Sequence, residues 1–135
     1  MVLTRLSQGD TLTAICHEER EKNSDFPSDT TVRLWYIADE PAGFAPRYAR
    51  AREAQAEAWS DAIVAIADDG SRDTKVITRK DGTEDEVADY EWMNRSRLRV
   101  DTRKWLMAKL HPTRYGDSLE LRGNAAAPLV IQFEK

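Results

Sequence analysis

Two long stretches of the chain carry side chains at the spacing of an α-helix. In the first, from Pro46 to about Asp68, larger side chains line one stripe and alanines line a neighbouring stripe. Pro46 suits a first helical turn, and alanine has the highest helix propensity. The larger set is Tyr48, Gln55, Trp59, Ile63 and Ile66, and the small set is Ala51, Ala54, Ala58, Ala62 and Ala65. We therefore predict a long helix with two adjacent packing faces.

The second stretch covers residues 84–110, and we predict that its helix begins at Glu84 or Asp85. Acidic residues occupy its first turns and basic residues follow, which is the order that the helix dipole favours. The helix is expected to end before His111, because Pro112 disfavours helical geometry in the residue that precedes it.

The helix predicted over 84–110 has two apolar faces. One face carries Val87, Leu98 and Trp105, and on the other Met93, Val100 and Met107 recur every seven residues. One face can pack on the preceding helix, whereas a monomer would leave the other face exposed. An all-round buried helix is the alternative, and we expect a subunit interface between copies of the chain. The residues predicted to serve oligomerisation are Trp59, Met93, Leu98, Val100, Trp105 and Met107.

The first third of the chain predicts two short helices. Asp10 is suited to cap a helix over 11–19, and the charged stretch 18–25 reads as an exposed, extended connection. Ser28 then caps a helix over 29–39, in which Val32 and Trp35 fall at i and i+3. This arrangement is similar to a helix-turn-helix, whose second helix enters the major groove of DNA.

The remaining segments predict turns and short strands. Asp81-Gly82 lies in the middle of residues 70–83, which we expect to form a loop or a small hairpin. Residues 119–122 alternate apolar and polar side chains, and residues 128–134 have strand composition. Two isolated strands are marginally stable in water, so these segments would gain stability by pairing with neighbouring copies.

Composition limits the classes of function. The chain has 135 residues, a formal net charge of −4 and one cysteine, Cys16, so we expect neither an internal disulfide nor a cysteine-based zinc site within one chain. No apolar run approaches the ~18 residues of a membrane span, and no signal-peptide h-region is evident, so we expect a soluble protein without a membrane partner. From Trp59 to Asn94 there are four Lys/Arg against ten Asp/Glu, and from Arg95 to Lys135 nine against four. These opposite blocks suit mutual attraction at least as well as DNA binding.

Motifs for catalysis are absent from the sequence. It contains no phosphate-binding Gly-x-x-x-x-Gly-Lys-[Ser/Thr] loop, and His17 and His111 do not fall in a metal-ligand pattern. The acidic run from Asp81 to Glu91 departs from the ligand spacing of an EF-hand. We therefore expect no enzymatic activity, no cofactor and no metal site.

Two groups of side chains on the predicted helices are candidates for contact with DNA. On the helix over 29–39, Thr30, Thr31 and Arg33 are suited to contact bases or phosphates, and Tyr36 is also available. On the helix over 84–110, arginines recur at i, i+4 and i+8, with Arg97 placed to pair with Asp101. That stripe could touch phosphate, but nearby carboxylates favour salt bridges between helices or subunits. It consists of Arg95, Arg99 and Arg103.

Four short sequence motifs resemble those of the small terminase subunits of tailed bacteriophages, of the Sf6-like type. They are Thr31-Val-x-x-Trp35, Phe44-x-x-x-Tyr48-Ala-Arg-Ala-Arg-Glu, Arg97-Leu-Arg-Val-Asp-Thr-Arg-Lys-Trp105 and Lys109-Leu-His-Pro-Thr-Arg-Tyr-Gly-Asp117. The resemblance covers most of the chain. It implies a mainly α fold with an N-terminal helix-turn-helix, a central antiparallel helical hairpin for oligomerisation and C-terminal strands that form an intersubunit β-barrel. The helix-turn-helix modules would lie around a ring-shaped homo-oligomer.

The resemblance also implies that this chain and a large terminase subunit carry out different steps of genome packaging. The chain would recognise double-stranded viral DNA at the packaging site in the host cytoplasm, and present it to a large terminase subunit that supplies ATPase and nuclease activity. By position, a helix-turn-helix module would occupy residues 1–45, the oligomerisation helices 46–112 and the β segment 113–135. Arg47 and Arg50 would add phosphate contacts or form surface salt bridges. The alternatives are a helix-turn-helix transcription regulator and a structural adaptor with little DNA affinity.

Overall fold

The structure, a computed structural model, describes residues 1–117. In this range the chain is mainly helical, with one antiparallel hairpin between its two longest helices. The strands predicted over 119–122 and 128–134, and the intersubunit barrel implied for them, lie outside the described residues. The elements are α1 (Val2–Ser7), α2 (Leu12–Lys22), α3 (Asp29–Ala38), α4 (Phe44–Asp68), β1 (Thr74–Thr78), β2 (Glu84–Ala88), α5 (Tyr90–Leu110) and α6 (Pro112–Tyr115).

The first three helices and the start of α4 enclose one hydrophobic core. Leu6, Ile15 and Val32 have no exposed surface, and Phe44 closes the core from α4. Full burial of an aliphatic side chain of this size contributes about 1.5–3 kcal/mol. A few side chains therefore hold these short helices in place.

The helix α2 corrects two expectations. It is capped by Thr11, whose Oγ1 accepts from the backbone N–H of Ala14 at 3.3 Å, and not by Asp10, which pairs with Arg5. The prediction that residues 18–25 are extended was also wrong, because α2 continues to Lys22. Arg5 of α1 lies 2.8 Å from the carboxylate of Glu18 and 3.3 Å from that of Glu19, and these contacts favour helix in a segment without apolar periodicity.

The hairpin corrects the predicted start of the second long helix. Residues 84–88 form β2 and pair with β1, in the register Thr74↔Ala88 to Thr78↔Glu84. The loop of the hairpin contains Gly82 with φ +83°, a conformation that glycine adopts without strain. The helix begins only at Tyr90, after Asp89 has accepted a hydrogen bond from the N–H of Trp92 at 3.2 Å. The expectation that Val87 shares a helical face with Leu98 and Trp105 was therefore wrong.

The two long helices pack as an antiparallel pair around a second, smaller core. Trp59 of α4 and Met107 of α5 are buried there, with Ile63 and Leu106 packed against them. The predicted ends of both helices, at Asp68 and Leu110, are confirmed. The helix α4 begins at Phe44, so the proposed boundary between residues 45 and 46 falls in its first turn.

Two side chains of α4 attach the turn between α1 and α2. Gln55, which is only 1% exposed, donates to the backbone oxygen of Asp10 at 2.6 Å and accepts from Arg52 at 2.6 Å. Trp59 donates to the backbone oxygen of Gly9 at 2.9 Å. The N-terminal helices are thus fastened to α4 by directional bonds as well as by apolar packing.

Candidate nucleic-acid interface

The helix α3 is fixed at its start and along one face. Ser28 caps it, because its Oγ accepts from the backbone N–H of Thr31 at 3.2 Å. Val32 is fully buried in the N-terminal core, and the Trp35 ring meets that of Phe44 edge-on at 5.8 Å. The opposite face of α3 is consequently held toward solvent.

The residues of α3 predicted to contact DNA differ in their availability. Thr30 is exposed, whereas Thr31 is half-buried and its hydroxyl lies 2.9 Å from that of Ser28. Arg33 is exposed and pairs with Asp29 at 2.7 Å, one helical turn earlier. Tyr36 is exposed and its ring packs at 5.0 Å from that of Tyr48. Thr30, Arg33 and Tyr36 can therefore reach a ligand, and the Thr31 hydroxyl is engaged in the cap.

Arg33 and Tyr36 line a cleft of about 380 Å³ between α3, α4 and the end of α5. Arg52 and His111 also line the cleft, and neither was predicted from the sequence to contact DNA. The His111 Nε2 atom is buried and has no hydrogen-bond partner among the described residues. The other lining residues are Tyr48, Ala49, Glu53 and Leu110.

A second cleft, of about 430 Å³, adjoins the first and extends along α6. Arg114 and Tyr115 line it, and both contact Glu57 of α4. Burial and the hydrogen bond to Glu57 raise the pKa of Tyr115. The two clefts share His111, which places them on one continuous surface.

Arg47 and Arg50 lie on the first turns of α4 and are exposed. Neither forms an ion pair with any residue in the range 1–117. Residues 1–45 hold four Lys/Arg against eight Asp/Glu, so this end of the chain has no broad positive field. A contact with DNA here would depend on the local placement of a few cations.

The residues predicted for oligomerisation lie in different environments. Trp59 and Met107 are buried inside the chain, and Val100 is half-buried on the side of α5 that faces α4. Met93 is partly exposed. Leu98 is 63% exposed and Trp105 60%, so most of the surface of each of these two residues is uncovered by the other described residues.

The arginine stripe of α5 is also divided by the fold. Arg95 lies 3.6 Å from Glu91, and Arg97 lies 3.8 Å from Asp101, as its spacing predicted. Arg99 is exposed, whereas Arg103 is partly buried against the turn between α1 and α2. Burial, and then the nearby charge of Arg99, lower the pKa of Arg103.

Two further observations concern the described residues alone. No group of three or more His, Cys, Asp or Glu side chains among them converges as a metal site would require. None of the helices in this part of the chain has the length and apolar character needed to cross a bilayer.

Comparison with known proteins reveals similarity to one viral family. The family model described as "Bacteriophage Sf6, terminase small subunit-like" matches residues 1–122. Three crystal structures of the terminase small subunit gp1 of the bacterial virus Sf6, each with one substitution, are similar to the chain. Each is 30% identical with a TM-score of 0.61, and the alignment covers 99% of this chain and 87% of the Sf6 chain. No curated protein sequence matches the chain.

Proposed function

The chain belongs to the bacteriophage Sf6 terminase small subunit-like family, and on that premise we propose that it recognises viral DNA at the packaging site and presents it to the large terminase subunit. Membership of this family gives the chain a role in phage DNA packaging. The recognition step is assigned to α3, and the delivery step requires a partner that carries the motor and nuclease activities. The chain itself is proposed to be non-enzymatic.

The exposed face of α3 carries this proposal. Val32 and the Ser28 cap hold the helix from behind, so that Thr30 and Arg33 project outward from its first two turns. In helix-turn-helix proteins, the N-terminal residues of the second helix contact base edges in the major groove. A guanidinium is suited to bidentate contact with guanine, and a threonine hydroxyl can contact any base or a phosphate.

The neighbouring cations would position the duplex. Arg47 and Arg50 at the start of α4 are free of ion pairs with other described residues, and Arg52 lines the cleft beside Arg33. Contacts of this kind fix the register of a protein on DNA without reading the sequence. In this arrangement, α2 and α3 act as the helix-turn-helix, and residues 23–28 connect them. This connection is longer than the three- to four-residue turn that is usual in the motif.

We also propose that the assembled protein is a ring-shaped homo-oligomer. The exposed Leu98 and Trp105 support assembly, since exposed large apolar side chains on one helix favour contact with another chain. A ring would place many copies of α3 around its rim, and several weak contacts to one DNA molecule would then add in avidity.

The test is binding of the purified oligomer to packaging-region DNA, compared with a shuffled duplex, over a range of salt concentrations. Arg33→Ala should weaken binding by about 1–3 kcal/mol per contacted site if Arg33 reads a base, and should reduce preference for the packaging sequence. If Arg33 contacts only phosphate, the loss should be equal for both duplexes and the salt dependence should become shallower by about one charge.

Arg79→Ala is the matched control. Arg79 is an exposed arginine in a local ion pair, as Arg33 is, but it lies in the hairpin, and its partner is Asp85. Its replacement should leave DNA affinity unchanged. Equal affinity of the wild-type oligomer for the two duplexes, together with no effect of Arg33→Ala, would refute recognition through α3.

One observation favours a second candidate, a packaging adaptor with little affinity for DNA. Leu34 and Ile37 lie on the outward side of α3, and Ile37 is 78% exposed. An apolar pair of this kind suits a protein partner better than a phosphate backbone. Under this alternative, Leu34→Ser with Ile37→Ser would abolish binding of the large subunit and leave any DNA affinity intact.

A further inference from the structure

A groove of about 320 Å³ lies between the α1–α2 turn, Trp59 and the middle of α5. Leu98 and Leu106 give it an apolar wall, and Arg99 and Arg103 place two guanidinium groups along it. These arginines are one helical turn apart on the same side of α5. The groove therefore combines exposed apolar surface with two positive charges.

Arg103 lacks a counter-charge in the described part of the chain. Its Nη1 donates to the backbone oxygen of Arg99 at 3.2 Å, while its Nε is buried without a hydrogen-bond partner. A guanidinium offers five N–H donors, and a partly buried charge is costly unless it is paired. Neither Arg99 nor Arg103 forms an ion pair within residues 1–117. A carboxylate from a second copy of the chain can supply this partner.

A surface of matching character lies on the outside of α4. Asp61 and Asp68 are exposed, neither has a cationic partner among the described residues, and Val64 lies between them with 57% of its surface exposed. At about 1.5 Å of rise per residue, the two carboxylates are roughly 10 Å apart along the helix. Two long arginine side chains can reach both while Val64 meets Leu98.

The groove and the α4 surface face in opposite directions. Asp61, Val64 and Asp68 lie on the side of α4 opposite Trp59, because the helical rotation of about 100° per residue places them roughly 140–200° from it. Trp59 itself lines the groove. One copy can therefore offer its groove to a second copy while its own α4 surface enters the groove of a third.

We propose that the groove formed by Leu98, Arg99 and Arg103 receives the outer face of α4 from a second copy of this chain, through Asp61, Val64 and Asp68. The two surfaces differ, so the contact is head-to-tail, the type that closes into a ring when the rotation between subunits permits. The inference rests on the ring assigned under the proposed function and names the faces that meet in it.

Charge reversal tests the contact. The mass of the full chain is measured by native mass spectrometry at one protomer concentration for Arg99→Glu, for Asp61→Arg and for the double variant. Both residues are exposed, so each single variant should fold with the wild-type circular dichroism spectrum and lose the ring mass in favour of small species. The double variant restores an opposite-charge pair, and it should recover the ring mass at least in part.

Arg97→Glu is the control on α5. Arg97 is about 200° around the helix from Arg99, it pairs with Asp101, and it should tolerate the change without loss of the ring. A ring mass that survives Arg99→Glu overturns the proposal. So does a loss with Arg99→Glu that neither Asp61→Arg reproduces nor the double variant repairs, since the groove would then hold another partner, such as residues 118–135 or the large subunit.

The outcome is separable from that of the proposed function. The mass of the wild-type chain reports whether a ring exists, and binding of packaging-region DNA reports recognition. A wild-type ring that recognises DNA and is unaffected by Arg99→Glu contradicts only the named contact.

Discussion

Gln55 is the polar side chain whose replacement should reveal most about how the N-terminal helices are held. It is 1% exposed, and its amide both donates to the backbone oxygen of Asp10 and accepts from Arg52, each at 2.6 Å. Gln55→Met keeps nearly the same volume and helix propensity but removes both hydrogen bonds. The carbonyl of Asp10, in a partly buried hydrogen bond, would then lose this donor.

The expected cost is about 1–3 kcal/mol, the range for leaving a buried polar group unsatisfied. At ~4 °C per kcal/mol for a domain of this size, the melting temperature should fall by roughly 4–12 °C. Urea unfolding measures the free energy and thermal unfolding measures the melting temperature, both followed by circular dichroism. Wild type and variant are compared at the same protomer concentration, because assembly makes apparent stability depend on concentration.

Gln8→Met supplies the control for this measurement. Gln8 is exposed at the end of α1, so the same exchange there should change the free energy of unfolding by less than ~0.5 kcal/mol. An unchanged midpoint and slope for Gln55→Met would show that the two hydrogen bonds add nothing to stability. The attachment of α1 and α2 would then depend on apolar packing and Trp59 alone.

Three further predictions concern the N-terminal helices. Ser28→Ala removes the acceptor for the Thr31 N–H and should lower the free energy of unfolding by about 1 kcal/mol in the same urea assay, whereas Ser28→Asp should retain most of the stability. Cys16 is 3% exposed and burial raises the pKa of its thiol, so iodoacetamide should react with the native protein much more slowly than with the urea-unfolded chain; equal rates would contradict the burial. The pKa of Glu19 is lowered chiefly by its hydrogen bond to Lys22, so its contribution to stability is fully present above the ordinary glutamate pKa of about 4.3 and is lost as pH falls through the lowered value. Glu19→Gln should flatten that part of the stability curve, and an unchanged acid limb would count against the linkage.

The elements that sequence reasoning located well are those whose signals are local. The helix α3 has a serine cap at its start and a buried valine one turn later, and both are visible in the sequence. In α4, the alternation of large and small side chains continues for most of the helix, so both its identity and its end at Asp68 were predicted. These signals lie within a few residues of the structure they specify.

The errors lie where distant contacts decide the conformation. Residues 18–22 have no apolar periodicity, and their helix is supported by Arg5, which is 13 positions before Glu18. Residues 84–88 have the acidic charge expected of a helix start, yet they pair with β1 across the loop that contains Gly82. A short charged segment can form either the first turn of a helix or a strand. For residues 84–88, pairing with β1 determines that the segment is a strand.

The candidate site shows the same division between local and distant information. Arg33 and Tyr36 were predicted because they share the solvent side of one helix. Arg52 and His111 were not, because they reach the same cleft from α4 and from the end of α5, which are separated by more than fifty residues. The spacing of Tyr48 and Arg52, one turn apart on α4, was the one sequence signal that could have linked Arg52 to this surface.

The helix α4 joins the two surfaces on which the proposed function depends. Its first turns carry Arg47 and Arg50, its middle holds the α1–α2 turn through Gln55 and Trp59, and its outer face ends in the carboxylates proposed to meet the next subunit. A helix of this length is stiff, so a subunit placed by the outer face of α4 also places its own α3. The angle between neighbouring reading helices around a ring would then be set by how α1 and α2 are fastened to α4. Weakening that attachment would make the spacing of the DNA contacts less uniform but would leave the ring assembled. Replacement of Gln55 should therefore affect DNA binding, whereas replacement of Asp61 should affect assembly.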